Sequence, residues 1–251
     1  KVAAIADVFR NYGIRLALSV RFDSPMGLGG LSSADPLDED VVRWWEDKIE
    51  EVYSYIPDFA GVLVKADSEG QPGPSQYGRT HADGANMFAK ILEPHNGIVM
   101  WRTFVYGAAA AEISSDITLH QYGFFKPLDG RFADNVVVQN KNGPRDFLPR
   151  EPVAPLIGGM EQTNVGLELQ ITQEYTGQST HLCYLVPMWK EYLSFDTKTN
   201  SPYADTSQGT TVDKVIDGTV YNRPVSLIAG VANIGSDTNW TRLELAQANW
   251  Y

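Results

Sequence analysis

Cysteine is nearly missing from this chain. The one copy, Cys183, lies in the apolar run HLCYLVPMW, so no internal disulfide can form and cysteine usage does not reveal the compartment. Its surroundings favour a buried small hydrophobe. Positive charge is also short: 20 Lys and Arg face 31 Asp and Glu, a net charge of −11. That balance argues against nonspecific binding to nucleic acid or to an anionic membrane, which needs clustered cations. It still allows an anionic small molecule if a few cations are placed locally. No run of about 20 apolar residues is present, so nothing reads as a transmembrane helix. No metal spacing is present either. His81 and Asp83 in RTHADG stand two residues apart rather than four, and a capping or loop-bracing role is expected for them. The GLGG after Met26 lacks the strand and helix that would flank a phosphate loop, so it reads as a flexible loop.

What remains is ordinary globular composition, 43% hydrophobic and 11% aromatic over 251 residues, enough for one sizeable core. Val2, Ile5, Val8 and Phe9 give Lys1–Tyr12 a helical spacing, ended by Gly13. Pro36–Ile56 reads as a long helix with Asp35 as its cap, acidic residues in its first turn, and Trp44, Trp45, Ile49, Val52 and Tyr53 on its apolar face. Ala82–Leu92 reads as a further helix. Six strands are expected: Ile14–Phe22, Gly61–Ala66, Ile98–Tyr106, Asn135–Lys141, Leu167–Tyr175 and Val225–Ile234. They are near-continuous apolar runs, the pattern of parallel strands buried on both faces. Helices or long crossovers separate them, so the class is α/β. The alanine run after Gly107 and the stretch His181–Leu193 are ambiguous, and Ser201–Asn222 reads as a long surface loop. There is no convincing linker, so residues 1–251 are taken as one domain. The chain opens on Lys1 with neither Met nor signal peptide and closes on AQANWY without a cap, which suggests a piece of a longer protein.

Polar residues gather where the strands end. Arg21 ends the first strand, Lys65 and Glu69 end or follow the second, and Arg102 sits in the third. Lys141 and Asp146 follow the fourth, Glu174 ends the fifth, and Asn233 the sixth. In a (β/α)8 TIM barrel these ends share the face that holds the active site. Glu69, Asp146 and Glu174 are carboxylates; Lys65, Arg102 and Lys141 are cations. Glycoside hydrolysis needs two carboxyl functions flanking the bond. Three cations beside them suit a substrate that carries its own carboxylate. The competing reading is a salt-bridged network lining a barrel rim. His181 could also reach this face.

VKADSEGQPGPSQYGRTHADGANM, GIVMWRTFVY, NVVVQNKNGPRDFLPREP, ITQEYTGQSTHL and GVANIGSDTNW closely resemble the xylan-acting α-glucuronidases of glycoside hydrolase family 67. The resemblance runs from about Asn11 to Tyr251. It implies a (β/α)8 barrel, incomplete here and covering about strands 3 to 8, with the family's flanking N-terminal β-rich and C-terminal helical domains absent. It implies removal of (4-O-methyl-)glucuronic acid from xylo-oligosaccharides with inversion, as a step in xylan degradation. By the same resemblance Glu69 is the general acid, and Asp146 and Glu174 are the pair that activates water. Lys65, Arg102 and Lys141 hold or flank the uronate carboxylate. No cofactor and no metal are expected, the partner is an aldouronic oligosaccharide, and the full-length parent could be a homodimer. Gly107–Phe125 and Thr199–Thr219 depart from the family pattern, which puts local contacts to the xylan chain in doubt. The compartment stays open. Asn239-Trp-Thr241 is a formal glycosylation sequon that leans toward secretion, with a cytoplasmic site as the alternative. A barrel that binds uronic-acid sugars without cutting them, or an inactive fragment, are the other readings.

Overall fold

The computed structural model describes residues 1–68, 70–103, 117–143, 151–171 and 184–231. Its centre is a six-stranded sheet in sequence order: β1 (Ala17–Arg21), β2 (Gly61–Lys65), β3 (Ile98–Arg102), β4 (Val136–Lys141), β5 (Asn164–Gln170) and β6 (Leu227–Val231). Every neighbouring pair is parallel, and the sheet curls as a half barrel. All six expected strands are present. The fifth begins at Asn164, three residues before the sequence expectation, because the Asn164 amide bonds the carbonyls of Asp134 and Val136 and seats the strand on β4.

Burial follows position in the sheet. Every residue of β4 and β5 is buried, whereas β1 and β6 at the two edges are only partly covered. Along each strand side chains alternate between two faces. One face carries Val99, Trp101, Val136, Val138, Leu167 and Leu169, all within 1% of full burial, and the helices pack there. Fully burying one such side chain contributes about 1.5–3 kcal/mol. Gly61 has φ +137° and a Cβ there would overlap the Ile98 carbonyl, so only glycine lets β2 start this close to β3.

Four α-helices come before β3. The first, α1 (Val2–Arg10), matches its expectation, and Gly13 follows with φ +73°. A single turn, α2 (Ser24–Gly27), ends on the first glycine of the GLGG stretch that was expected as a loop. The long helix α3 (Glu39–Tyr55) buries Val41, Trp45, Ile49 and Tyr53, a four-residue spacing that keeps them on one stripe. Its cap is Asp38, whose side chain accepts from Asp40 N at 2.9 Å, not Asp35. Asp35 instead accepts two N–H groups of Arg79, at 3.0 Å each, and so fastens the segment before α3 to the loop before the next helix.

That next helix, α4 (His81–Leu92), starts with a capping box. Thr80 Oγ1 accepts from Asp83 N at 3.2 Å, and the Asp83 carboxylate accepts from Thr80 N at 2.8 Å. The bracing role expected of Asp83 is therefore observed. The helix is buried on most sides, and its small residues allow close approach: Gly84 meets the Trp101 ring. Phe88 meets Trp45 of α3 with ring centroids 4.7 Å apart.

Beyond β3 come α5 (Ile117–Phe125), α6 (Leu156–Gly159), α7 (Val186–Leu193) and α8 (Val212–Ile216). The last corrects the surface-loop reading of Ser201–Asn222. Val212, Val215 and Ile216 on α8, with Val220 and Tyr221 after it, are all buried. The alanine run and the start of His181–Leu193 lie outside the described residues.

Candidate active site

Parallel pairing brings the C-terminal ends of the strands to one edge, and the last residues of the first four strands are all cations: Arg21, Lys65, Arg102 and Lys141. Arg21 stands in register with Lys65, and Lys141 with Glu168. Alternation along β4 turns Asn140 toward the helices, where it accepts from Thr103 Oγ1 at 2.8 Å and Gln121 Nε2 at 3.2 Å. Gln139 and Lys141 therefore face the inner side of the sheet. Lys141 is buried there, while Lys65 is half-buried. Arg21 differs. Its guanidinium is largely exposed and is held by Asp23 at 2.9 and 2.7 Å, which places it at the rim and holds the Asp23 carboxyl below its ordinary range.

Arg102 reaches across β4 to a carboxylate that the sequence reading did not single out. Its Nε and Nη2 donate to Glu168 Oε2 and Oε1 at 2.8 and 2.6 Å. Gln139 Nε2 donates to the same Oε2 at 2.5 Å. Glu168 is 1% exposed. A carboxylate at that depth persists only with this kind of hydrogen bonding.

The loop after β2 is built around a second carboxylate. Asp67 holds φ +53°, a conformation Asp tolerates better than most residues. Its Oδ2 accepts from Ser75 N at 3.1 Å and its Oδ1 from Ser75 Oγ at 2.5 Å, which closes the segment from Asp67 to Ser75. Gly73 packs on this carboxylate so closely that a Cβ would overlap it. Beneath lies His81, 3% exposed. Its Nδ1 accepts from Trp101 Nε1 at 3.1 Å, so the neutral ring carries its proton on Nε2, which faces Asp67 Oδ2 at 3.6 Å. Burial pushes the His81 pKa down to about 4, against a smaller opposing pull from Asp67. His81 thus packs beneath the loop against Asp67, with its Nδ1 taken by Trp101. Among the described residues no group of three or more His, Cys, Asp or Glu could hold a metal ion, and no helix is long and apolar enough to cross a membrane.

Of the six residues singled out for chemistry, Lys65, Arg102 and Lys141 share one edge of the sheet. Glu69, Asp146 and Glu174 lie outside the described residues, as do His181, Cys183, Asn233 and the sequon. In the sequence Glu69 stands between Asp67 and Ser75. Asp146 and Glu174 follow β4 and β5 in the chain. An edge of this kind can hold an anion against lysines and an arginine. The sequence did carry a signal for Glu168 and Gln170: the alternation L-E-L-Q in a strand expected to be apolar on both faces.

A family model described as the glycosyl hydrolase family 67 middle domain matches residues 1–240. The chain belongs to glycosyl hydrolase family 67. The resemblance carried by the SEGQPGP and ITQEY motifs is thereby borne out. Family 67 relatives among curated proteins include alpha-glucuronidase A of Emericella nidulans, 49% identical over 254 residues. Alpha-glucuronidase of Hypocrea jecorina is 46% identical over 248 residues. Probable alpha-glucuronidase A of Aspergillus clavatus is 49% identical over 252 residues. These matches cover 98–100% of this chain, and the chain spans 29% of the length of each of these relatives.

Proposed function

We propose that this chain is the third-to-eighth-strand portion of the (β/α)8 barrel of an α-glucuronidase. Its substrate would be the α-1,2 bond between (4-O-methyl-)glucuronic acid and xylose in xylo-oligosaccharides, cut during xylan degradation. The observation that carries this reading is the row Lys65, Arg102 and Lys141 at the ends of three consecutive strands in a family 67 chain. Three cations on one edge suit the carboxylate of a uronic acid.

In this reading hydrolysis is a single displacement. Glu69, protonated, gives its proton to the glycosidic oxygen as the bond from C1 to that oxygen breaks. Asp146 or Glu174 takes a proton from a water that attacks C1 from the opposite ring face. Glucuronic acid leaves as the β anomer and xylose keeps its hydroxyl. An acid and base about 6.5–9.5 Å apart would leave room for the water. No metal enters these steps.

The test is proton NMR of an aldouronic oligosaccharide treated with the full-length protein. The β anomer of free glucuronic acid should appear first. Absence of release overturns the reading, and the α anomer appearing first overturns inversion. A Glu69→Ala protein should lose activity on the natural sugar and keep it on substrates with activated leaving groups. An unimpaired Glu69→Ala would remove the acid role.

A further inference from the structure

Arg102 is anchored from behind. Its side chain is 19% exposed, whereas that of Glu168 is 1% exposed, so the cation stands in front of the anion on the inner face of the sheet. Two parallel bonds, from Nε and Nη2, fix both the position and the plane of the guanidinium. Gln139, the register partner of Arg102 on β4, holds the carboxylate in turn through its Oε2. Three consecutive strands thus supply one chain of contacts, and its only partly exposed member is Arg102. Buried ion pairs of this kind contribute little to stability compared with an apolar filling. Their value lies in orientation, and Nη1 is the guanidinium nitrogen directed away from Glu168.

We propose that Glu168, supported by Gln139, is a positioning residue that sets how Arg102 meets the uronate carboxylate, and so governs the preference for a charged over a neutral sugar. This rests on the α-glucuronidase reading above. A bidentate or end-on contact to a carboxylate depends on the plane of the guanidinium. Without Glu168 the arginine keeps its charge but loses the two parallel bonds that set that plane. The enzyme would still bind sugar, with less discrimination for the acid.

The experiment compares competitive inhibition by glucuronate and by its uncharged methyl ester, in the full-length protein. Wild type should favour glucuronate. In a folded Glu168→Gln protein the ratio of the two inhibition constants should fall about tenfold, the scale of one charge-assisted hydrogen bond. A purely structural role would lower stability or the active fraction and leave the ratio unchanged, and that result overturns the proposal. Gln139→Met removes only the support and should move the ratio in the same direction by less. If Glu168→Gln does not fold, an unchanged ratio in Gln139→Met overturns the proposal. A wild-type protein that releases glucuronic acid while Glu168→Gln keeps the wild-type ratio sinks this inference alone. A wild type that releases no glucuronic acid sinks the α-glucuronidase reading itself, and one that releases it without preferring the acid sinks this inference.

Discussion

Replacing Asp67 by alanine should open the loop that follows β2. Its carboxylate makes two hydrogen bonds to Ser75, at 3.1 and 2.5 Å, and its side chain is only 7% exposed. Hydrogen bonds to a charged group contribute about 1.5–3 kcal/mol each, and two bonds from one carboxylate do not add fully. Losing both should cost about 3 kcal/mol. Alanine must also hold φ +53°, which adds about 1 kcal/mol. The total, about 4 kcal/mol, corresponds to a melting temperature lower by about 8–16 °C for a domain of this size. Asparagine tolerates the same φ, and its amide can accept from Ser75 N and donate to Ser75 Oγ, so Asp67→Asn should cost less than half as much. Thermal unfolding of both variants beside wild type decides the matter, with kcat and KM measured on the same samples. If Glu69 is the acid as proposed, its position in the sequence between Asp67 and Ser75 means that Asp67→Ala should lower kcat more than it raises KM. An Asp67→Ala protein that melts within about 2 °C of wild type would falsify the reasoning. So would an Asp67→Asn as damaged as Asp67→Ala.

Two further outcomes are expected. Thr80→Ala removes the capping box of α4 and should cost about 1 kcal/mol, seen as a lower urea midpoint at unchanged slope. His81 links stability to pH. Its folded pKa, about 4, lies below the ordinary value of 6.5, so the unfolded chain binds its proton first as pH falls. This contribution is constant above about pH 6.5 and is lost progressively down to about pH 4, a loss of about 3 kcal/mol in all. Urea unfolding at pH 7 and pH 4.5 should show wild type losing about 2–3 kcal/mol more than His81→Gln; equal losses refute it.

The strands were legible because β2, β3 and β4 are near-continuous apolar runs, and no competing pattern obscures them. The cap of α3 was misread for a local reason. Asp35 precedes Pro36, the usual arrangement at a helix start, but the Asp35 side chain is drawn to Arg79, 44 residues away in sequence, which no local pattern reveals. The helix α8 was hidden by its polar neighbours, although Val212, Val215 and Ile216 show a helical spacing within TTVDKVI. The helix α5 has apolar residues around its circumference, so periodicity gave no signal. At the candidate site, the cations were visible as strand-end residues. Asp67 was not, because it works through Ser75 beyond the loop; Glu168 showed only as the polar step in L-E-L-Q, and its partner Arg102 lies on another strand.

Trp101 and Arg102 are adjacent in β3 and point to opposite faces of the sheet. The indole donates to His81 among the helices, and the guanidinium is clamped by Glu168 on the inner side. A slip of β3 by one residue would turn both over at once. The guanidinium would leave Glu168 and enter the helix layer, and the indole would face the polar edge. Two polar contacts on opposite sides thus check the same alignment. Pairing of this strand is policed during folding by the very residue expected to meet the substrate.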